Sequence, residues 1–192
     1  MLLFYDFCDI MSANGIDTIS NVNHMRCTMK QGLIHIYSGD GHGKSPAALG
    51  QAVLSAAAGE SVVIIQFLKG KGIEDSEFIQ RLEPEIKIFR FEKGDSNFDK
   101  LSEEKKMEEA INIRNGLNYA KKVLATGECD LLILDEVLGL IDNEIITVDD
   151  LKSLLEARDG ETDIIMTGIA LNDEICMLAD EVSQIETLKF EC

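Results

Sequence analysis

The run Ser38-Gly39-Asp40-Gly41-His42-Gly43-Lys44-Ser45 sets a lysine and a hydroxyl at the end of alternating glycines. Those residue types at that spacing suit one task, the holding of a polyphosphate. Glycine tolerates positive φ, so the three glycines are expected to curl the backbone until successive N–H groups point inward on an anion. The Lys44 ammonium would then face the terminal phosphates, and the Ser45 hydroxyl could bind Mg²⁺. The usual pattern has a glycine five places before its Gly-Lys-Ser, and here that place holds Ser38. Gly39, Asp40, Gly41, His42, Gly43, Lys44 and Ser45 are thus the candidate nucleotide contacts. His42 could donate to a phosphate or be a bystander, and a glycine-rich turn that binds nothing is the plain alternative for the whole run.

A second constellation completes the first. Leu131-Leu132-Ile133-Leu134 is an apolar run that delivers Asp135-Glu136 at its C-terminal end. Ligands of open α/β sheets bind at that edge. Asp135 would hold Mg²⁺ directly or through water, and Glu136 could position the metal or polarise a reacting group. The alternative is that either acid caps the next helix.

The elements that must position these groups follow from periodicity. Strands are expected over Leu33–Tyr37, Val62–Phe67, Ile86–Phe91, Leu131–Leu134 and Asp163–Thr167, with an edge strand at Val182–Ile185. Helices are expected over Ala47–Ala58 (its first turn beginning near Lys44), from Ser102 to near Gly127, from Thr147 to about Arg158, and after Asn172. In the long helix Met107, Ala110, Ile111, Leu117, Ala120 and Leu124 form the expected buried stripe. His35 reads as a core residue of the first strand. Strands alternating with helices imply an α/β fold with a doubly wound, mostly parallel sheet. The domain is expected at 31–192. Residues 1–30 read as an N-terminal extension. Asp6 and Asp9 break the apolar run of Met1–Met11, so no signal peptide is expected there. Ser12–Lys30 is a polar loose segment or strap, and Met29 is a second candidate start.

Thirty-five acids against eighteen bases leave a net charge of −17, which repels nucleic acid and anionic lipid in the absence of a basic patch. Lys69 and Lys71 are followed at once by Glu74, Asp75 and Glu77, so no such patch forms and no nucleic-acid or membrane partner is expected. The five cysteines form no C-x-x-C pair, which argues against a structural zinc site and for reduced thiols in a cytoplasm. No window of about 18 uncharged apolar residues occurs, so no membrane-spanning helix is expected.

The stretch Gly32-Leu33-Ile34-His35-Ile36-Tyr37 leading into the glycine run resembles the opening of the corrinoid adenosyltransferases of the cobalamin pathway. Val63-Ile64-Ile65-Gln66-Phe67-Leu68-Lys69-Gly70, Asp130 through Glu136, Thr167-Gly168 and Ala179-Asp180 resemble later blocks in the same order. Gln-Phe-Leu-Lys-Gly is far more specific than a phosphate loop alone. The resemblance implies a RecA-type three-layer phosphate-loop fold and a homodimer. It implies transfer of the 5′-deoxyadenosyl group from ATP to a Co(I) corrinoid, with triphosphate as leaving group and a flavoprotein as a possible source of electrons. Lys44 and Glu136 would then be catalytic, Ser45, Asp135 and Glu136 would hold the metal, and Gln66, Lys69 and Phe98 would face the corrinoid.

Three positions depart from that family's pattern. Pro46 stands where a second hydroxyl usually follows the lysine, and Ile169 stands where arginine usually follows Thr-Gly. The loop Gly94-Asp95-Ser96-Asn97-Phe98 keeps one aromatic where the family keeps a tryptophan as well. Two rivals to the enzyme therefore stay open: a diverged relative that binds nucleotide or corrinoid without turnover, and an unrelated phosphate-loop ATPase.

Overall fold

The computed structural model describes residues 31–68, 81–91, 98, 101–169 and 171–189. The expectations for residues 1–30, for Lys69 and for Gly94–Asn97 fall outside them. In chain order the elements are β1 (Ile34–Ser38), α1 (Lys44–Ala57), β2 (Val62–Gln66), β3 (Ile86–Arg90), α2 (Glu103–Thr126), β4 (Leu131–Asp135), α3 (Leu138–Asp142), α4 (Val148–Leu155), β5 (Asp163–Gly168), α5 (Asp173–Cys176) and β6 (Glu181–Gln184).

Six strands form one sheet in the order β3-β2-β4-β5-β1-β6, and every neighbouring pair is parallel. Side-chain alternation divides the central strands between two layers. Ile64, Leu131, Ile133 and Ile165 pack on one face with Ala48 and Ala52 of α1. Val63, Ile65, Leu132, Leu134, Ile164 and Met166 pack on the other with residues of α2, α3 and α4. Burial on both faces explains why β2 and β4 are unbroken apolar runs rather than alternating ones.

Four aspartates close the sheet at the N-terminal ends of its strands. Asp163 Oδ1 accepts from Leu33 N at 2.8 Å and Asp180 Oδ2 from Ile34 N at 2.8 Å, so both hold the entry to β1. Asp130 Oδ2 accepts from Ser61 N and Oγ ahead of β2. Asp159 Oδ1 accepts from Glu161 N, Thr162 N and Thr162 Oγ1 before β5. Asp180, part of the Ala179-Asp180 block, is thus a backbone latch far from the phosphate loop.

Several expectations need correction. The stripe of α2 keeps Ala120 and Leu124, with Ala110 and Leu117 partly buried against the core, and adds Ile113, Gly116 and Val123, whereas Met107 and Ile111 are 70 % and 63 % exposed. Gly116 sets that rotation: a Cβ there would lie 2.6 Å from Cγ of Phe91 and 2.9 Å from Cε1 of Phe67, so the helix approaches the sheet on its smallest residue. Ser102 occupies the N-cap position but makes no side-chain capping bond. Thr147 does cap α4, in a reciprocal capping box with Asp150, yet the helix stops at Leu155, and Arg158 instead donates to the Gly32 carbonyl at 2.7 Å. Helix α3 had no expectation, because five residues behind the uncapped Val137 carry no start signal. His35 is half-buried on β1, beside the edge strand β6, where its Nε2 lies 3.0 Å from Ser183 Oγ.

Candidate nucleotide site

β1 and β4 are not neighbours; β5 lies between them. The phosphate loop leaves the end of β1, α1 crosses behind it, and Ser45 in the first turn reaches across to Asp135 at the end of β4. Ser45 Oγ donates to Asp135 Oδ1 at 2.8 Å. Thr167, on the intervening β5, donates to the same oxygen at 2.7 Å. Gln66, paired in register with Asp135 on β2, donates its Nε2 to Asp135 Oδ2 at 3.2 Å. One carboxylate, 3 % exposed, therefore ties a helix and two strands together at the C-terminal edge of the sheet.

Thr167 is the residue that reading the sequence missed as a site group. It is fully buried, and besides donating to Asp135 its Oγ1 accepts from Glu136 N at 2.8 Å. Glu136 has φ of +64°, a left-handed conformation disfavoured for a residue with a Cβ. The Thr167 hydroxyl thus holds both the carboxylate and the turn that follows it. The only signal in the sequence was Thr-Gly at the end of an apolar strand. The Glu136 side chain lies over the start of α3, where a Cβ on Gly139 would stand 3.3 Å from Glu136 Oε1.

The loop itself differs from expectation in an instructive way. Of its three glycines only Gly39 has positive φ, at +117°. Gly41 and Gly43 are required by close approach instead. A Cβ on Gly41 would sit 2.9 Å from the Ile185 carbonyl oxygen, and one on Gly43 would sit 2.9 Å from Ile185 Cγ2. The Gly41 N–H donates to that carbonyl at 3.3 Å, so it points to the chain after β6 rather than inward. The loop is therefore pressed against the strand exit at Ile185.

Lys44 is buried, and its ammonium donates to the carbonyls of Gly39 at 2.6 Å and Gly41 at 3.0 Å. Its positive end thus lies across the loop, where a phosphate would be gripped. His42 and Asp40 are exposed, and Gly43 is half-buried at the N-cap of α1. Pro46 is exposed in the first turn, and Ala47 N still donates to Gly43 O at 2.9 Å, so proline costs the helix no bond. Ile169 is exposed just beyond β5. Phe98 is half-buried and packs against the core on the α2 face. Gln66, expected towards the corrinoid, is bonded to Asp135.

The donor set suits a hard divalent cation. Ser45 and Asp135 bring two oxygens together. That matches an ion such as Mg²⁺, which keeps several waters and takes few protein ligands beside phosphate oxygens. Cys129 is no rival nucleophile: burial pushes its thiol up to about 12. No helix among the described residues is long and apolar enough to cross a membrane.

Comparison with known proteins bears on what such a site serves. The model of the family "ATP:corrinoid adenosyltransferase BtuR/CobO/CobP" matches residues 30–192. A corrinoid adenosyltransferase of Escherichia coli strain K12 is 27% identical over 160 residues, covering 83% of this chain and 79% of its own. Corrinoid adenosyltransferase CobA of Salmonella typhimurium is likewise 27% identical over 160 residues, with coverage of 83% and 79%. Among solved structures, a KaiC-like protein from Pyrococcus horikoshii OT3 aligns with a TM-score of 0.55 at 18% identity, over 84% of this chain and 76% of that one. The flagellar accessory protein FlaH from Methanocaldococcus jannaschii aligns with a TM-score of 0.56 at 18% identity, over 84% and 74%. At that identity the structures speak to the phosphate-loop fold alone.

Proposed function

The chain belongs to the ATP:corrinoid adenosyltransferase family BtuR/CobO/CobP, and on that premise we propose that it transfers the 5′-deoxyadenosyl group of ATP to a Co(I) corrinoid. The cobalt lone pair attacks the ribose C5′ as the C5′–O bond breaks. The bonding electrons leave with triphosphate, and cobalt is formally oxidised from I to III. The substrate brings its own nucleophile, so the protein needs to position two reactants, exclude water and stabilise charge growing on the leaving group.

This chain has residues for each part. Lys44 would exchange its two carbonyl partners for phosphate oxygens and follow the charge onto triphosphate, with loop N–H groups other than that of Gly41, which is spent on Ile185, as further donors. Ser45 and Asp135 would hold Mg²⁺, with Glu136 beside them; the ion supplies Lewis-acid stabilisation of the leaving group. Phe98 and Lys69 are proposed for the corrinoid side, with a homodimer and a flavoprotein reductant as proposed partners. The unrelated ATPase gives way to the family match. Most support comes from one observation, the 2.8 Å bond that joins the phosphate loop to the β4 carboxylate inside the matched stretch.

The test is spectroscopic. Purified protein given ATP, Mg²⁺ and chemically reduced corrinoid should form a light-sensitive Co–C species and stoichiometric triphosphate; neither product would overturn the reading. Pro46 and Ile169 favour one second reading, a relative that binds both substrates with little turnover. Tight binding of ATP and corrinoid without product would establish it.

A further inference from the structure

Gln66 carries an acceptor that no described residue uses. Its amide nitrogen is spent on Asp135 Oδ2 at 3.2 Å, while its carbonyl oxygen Oε1 is buried and has no hydrogen-bond partner among the described residues. A buried carbonyl without a donor is costly, and one way such a group is satisfied is by a donor that arrives with a ligand. Its position narrows the donor. Gln66 ends β2 in register with Asp135, and its amide lies against the carboxylate that Ser45 also touches. Phosphate oxygens only accept hydrogen bonds, so triphosphate itself cannot satisfy Oε1. A water on a divalent cation held by Ser45 and Asp135 can, and the ion's charge makes that water a strong donor.

Resting on the nucleotide reading above, we propose that Gln66 is a positioning residue of the cation–nucleotide site. Its NH₂ orients Asp135, and its Oε1 accepts from a cation-bound water. Two strands then grip the cation's shell, β4 through a carboxylate and β2 through an amide.

Calorimetry of ATP binding to the full chain, in Mg²⁺ and in EDTA, tests this with Gln66→Met and Gln66→Glu. Methionine has similar length and no hydrogen-bonding amide. The expected result is about tenfold weaker binding of Mg²⁺–ATP with metal-free ATP unchanged, the size of one charge-assisted bond. Glutamate keeps an acceptor oxygen beside Asp135 and adds charge, so it should lower the Mg²⁺ concentration needed for half-maximal ATP binding. An equal loss in Mg²⁺ and EDTA, or a loss confined to corrinoid binding, overturns the assignment. If Gln66→Met does not fold, Gln66→Glu decides: an unchanged Mg²⁺ dependence overturns it. Should the parent fail to bind ATP under either condition, the nucleotide reading falls as well; a parent that binds while the variants match it sinks the Gln66 role alone.

Discussion

Ser45 and Asp135 stand 90 residues apart in the chain, and Oγ of the first donates to Oδ1 of the second at 2.8 Å. That bond spans the gap left by β5, whose Thr167 touches the same oxygen. A phosphate loop and a carboxylate strand thus meet through three side chains on α1, β4 and β5.

Lys44→Ala should weaken ATP binding by about ten- to a hundred-fold, corresponding to about 1.5–3 kcal/mol for a lost charged hydrogen bond. The loss of turnover should be larger, because the charge on the leaving group grows in the transition state. Calorimetry and the Co–C assay separate the two. Equal ATP affinity in variant and parent would remove Lys44 from the site.

Thr167→Val keeps shape and burial but removes the donor to Asp135 and the acceptor for Glu136 N. Removing the acceptor of a part-buried N–H costs about 1 kcal/mol. Urea unfolding should show that loss, and the Mg²⁺ requirement for ATP binding should rise because Asp135 is held by one partner fewer. A variant as stable as the parent would mean the Glu136 turn is held by other contacts.

Gly41→Ala should damage the loop more than Gly43→Ala. At Gly41 the added methyl meets the backbone of Ile185, Glu186 and Thr187, whereas at Gly43 it meets one side-chain methyl of Ile185, Cγ2. Pairing Gly43→Ala with Ile185→Ala, which removes Cγ2, should therefore recover ATP affinity, while the same pairing should do nothing for Gly41→Ala. Recovery in both, measured by calorimetry, would count against the backbone contact.

Asp159 gives a pH dependence. The N–H of Glu161 and then that of Thr162 hold its carboxyl below the ordinary value. Unfolded, it titrates at about 3.9. The stability it adds is therefore complete above that value and is lost as pH falls through its lower folded value. Because the group is exposed, the effect is small. Asp159→Asn should lower Tm by about 2 °C at pH 7, with the difference shrinking as both proteins are taken below about pH 4. A gap that stays constant down to pH 2.5 would mean the charge plays no part.

What could be read from residues alone was local. Val62–Ile65 announces a strand buried on both faces, Gly127 ends a helix in the left-handed conformation, and Thr147 caps one; each is decided by a few neighbours in sequence. The phosphate loop and Asp135 were legible because their spacing and flanking elements carry a known chemistry. The rest depends on partners distant in the chain. Nothing beside Gly41 foretells Ile185, nothing beside Thr167 foretells Asp135, and the apolar spacing of Met107 and Ile111 is outweighed by Gly116, whose small size lets α2 approach Phe67 and Phe91. Gln66 was picked out by its block, but its bond to Asp135 follows from strand register, which no single segment encodes.

The seat of the phosphate loop at Ile185 has a consequence for the nascent chain. β1 is translated before β5 and β6, yet it lies between them, and its loop rests on backbone that follows β6. Contacts so distant in sequence form late, after long stretches of chain have been ordered. During synthesis the glycines and Lys44 therefore emerge long before the surface that shapes them. The loop takes its final shape only once the segment beyond β6 has packed against it.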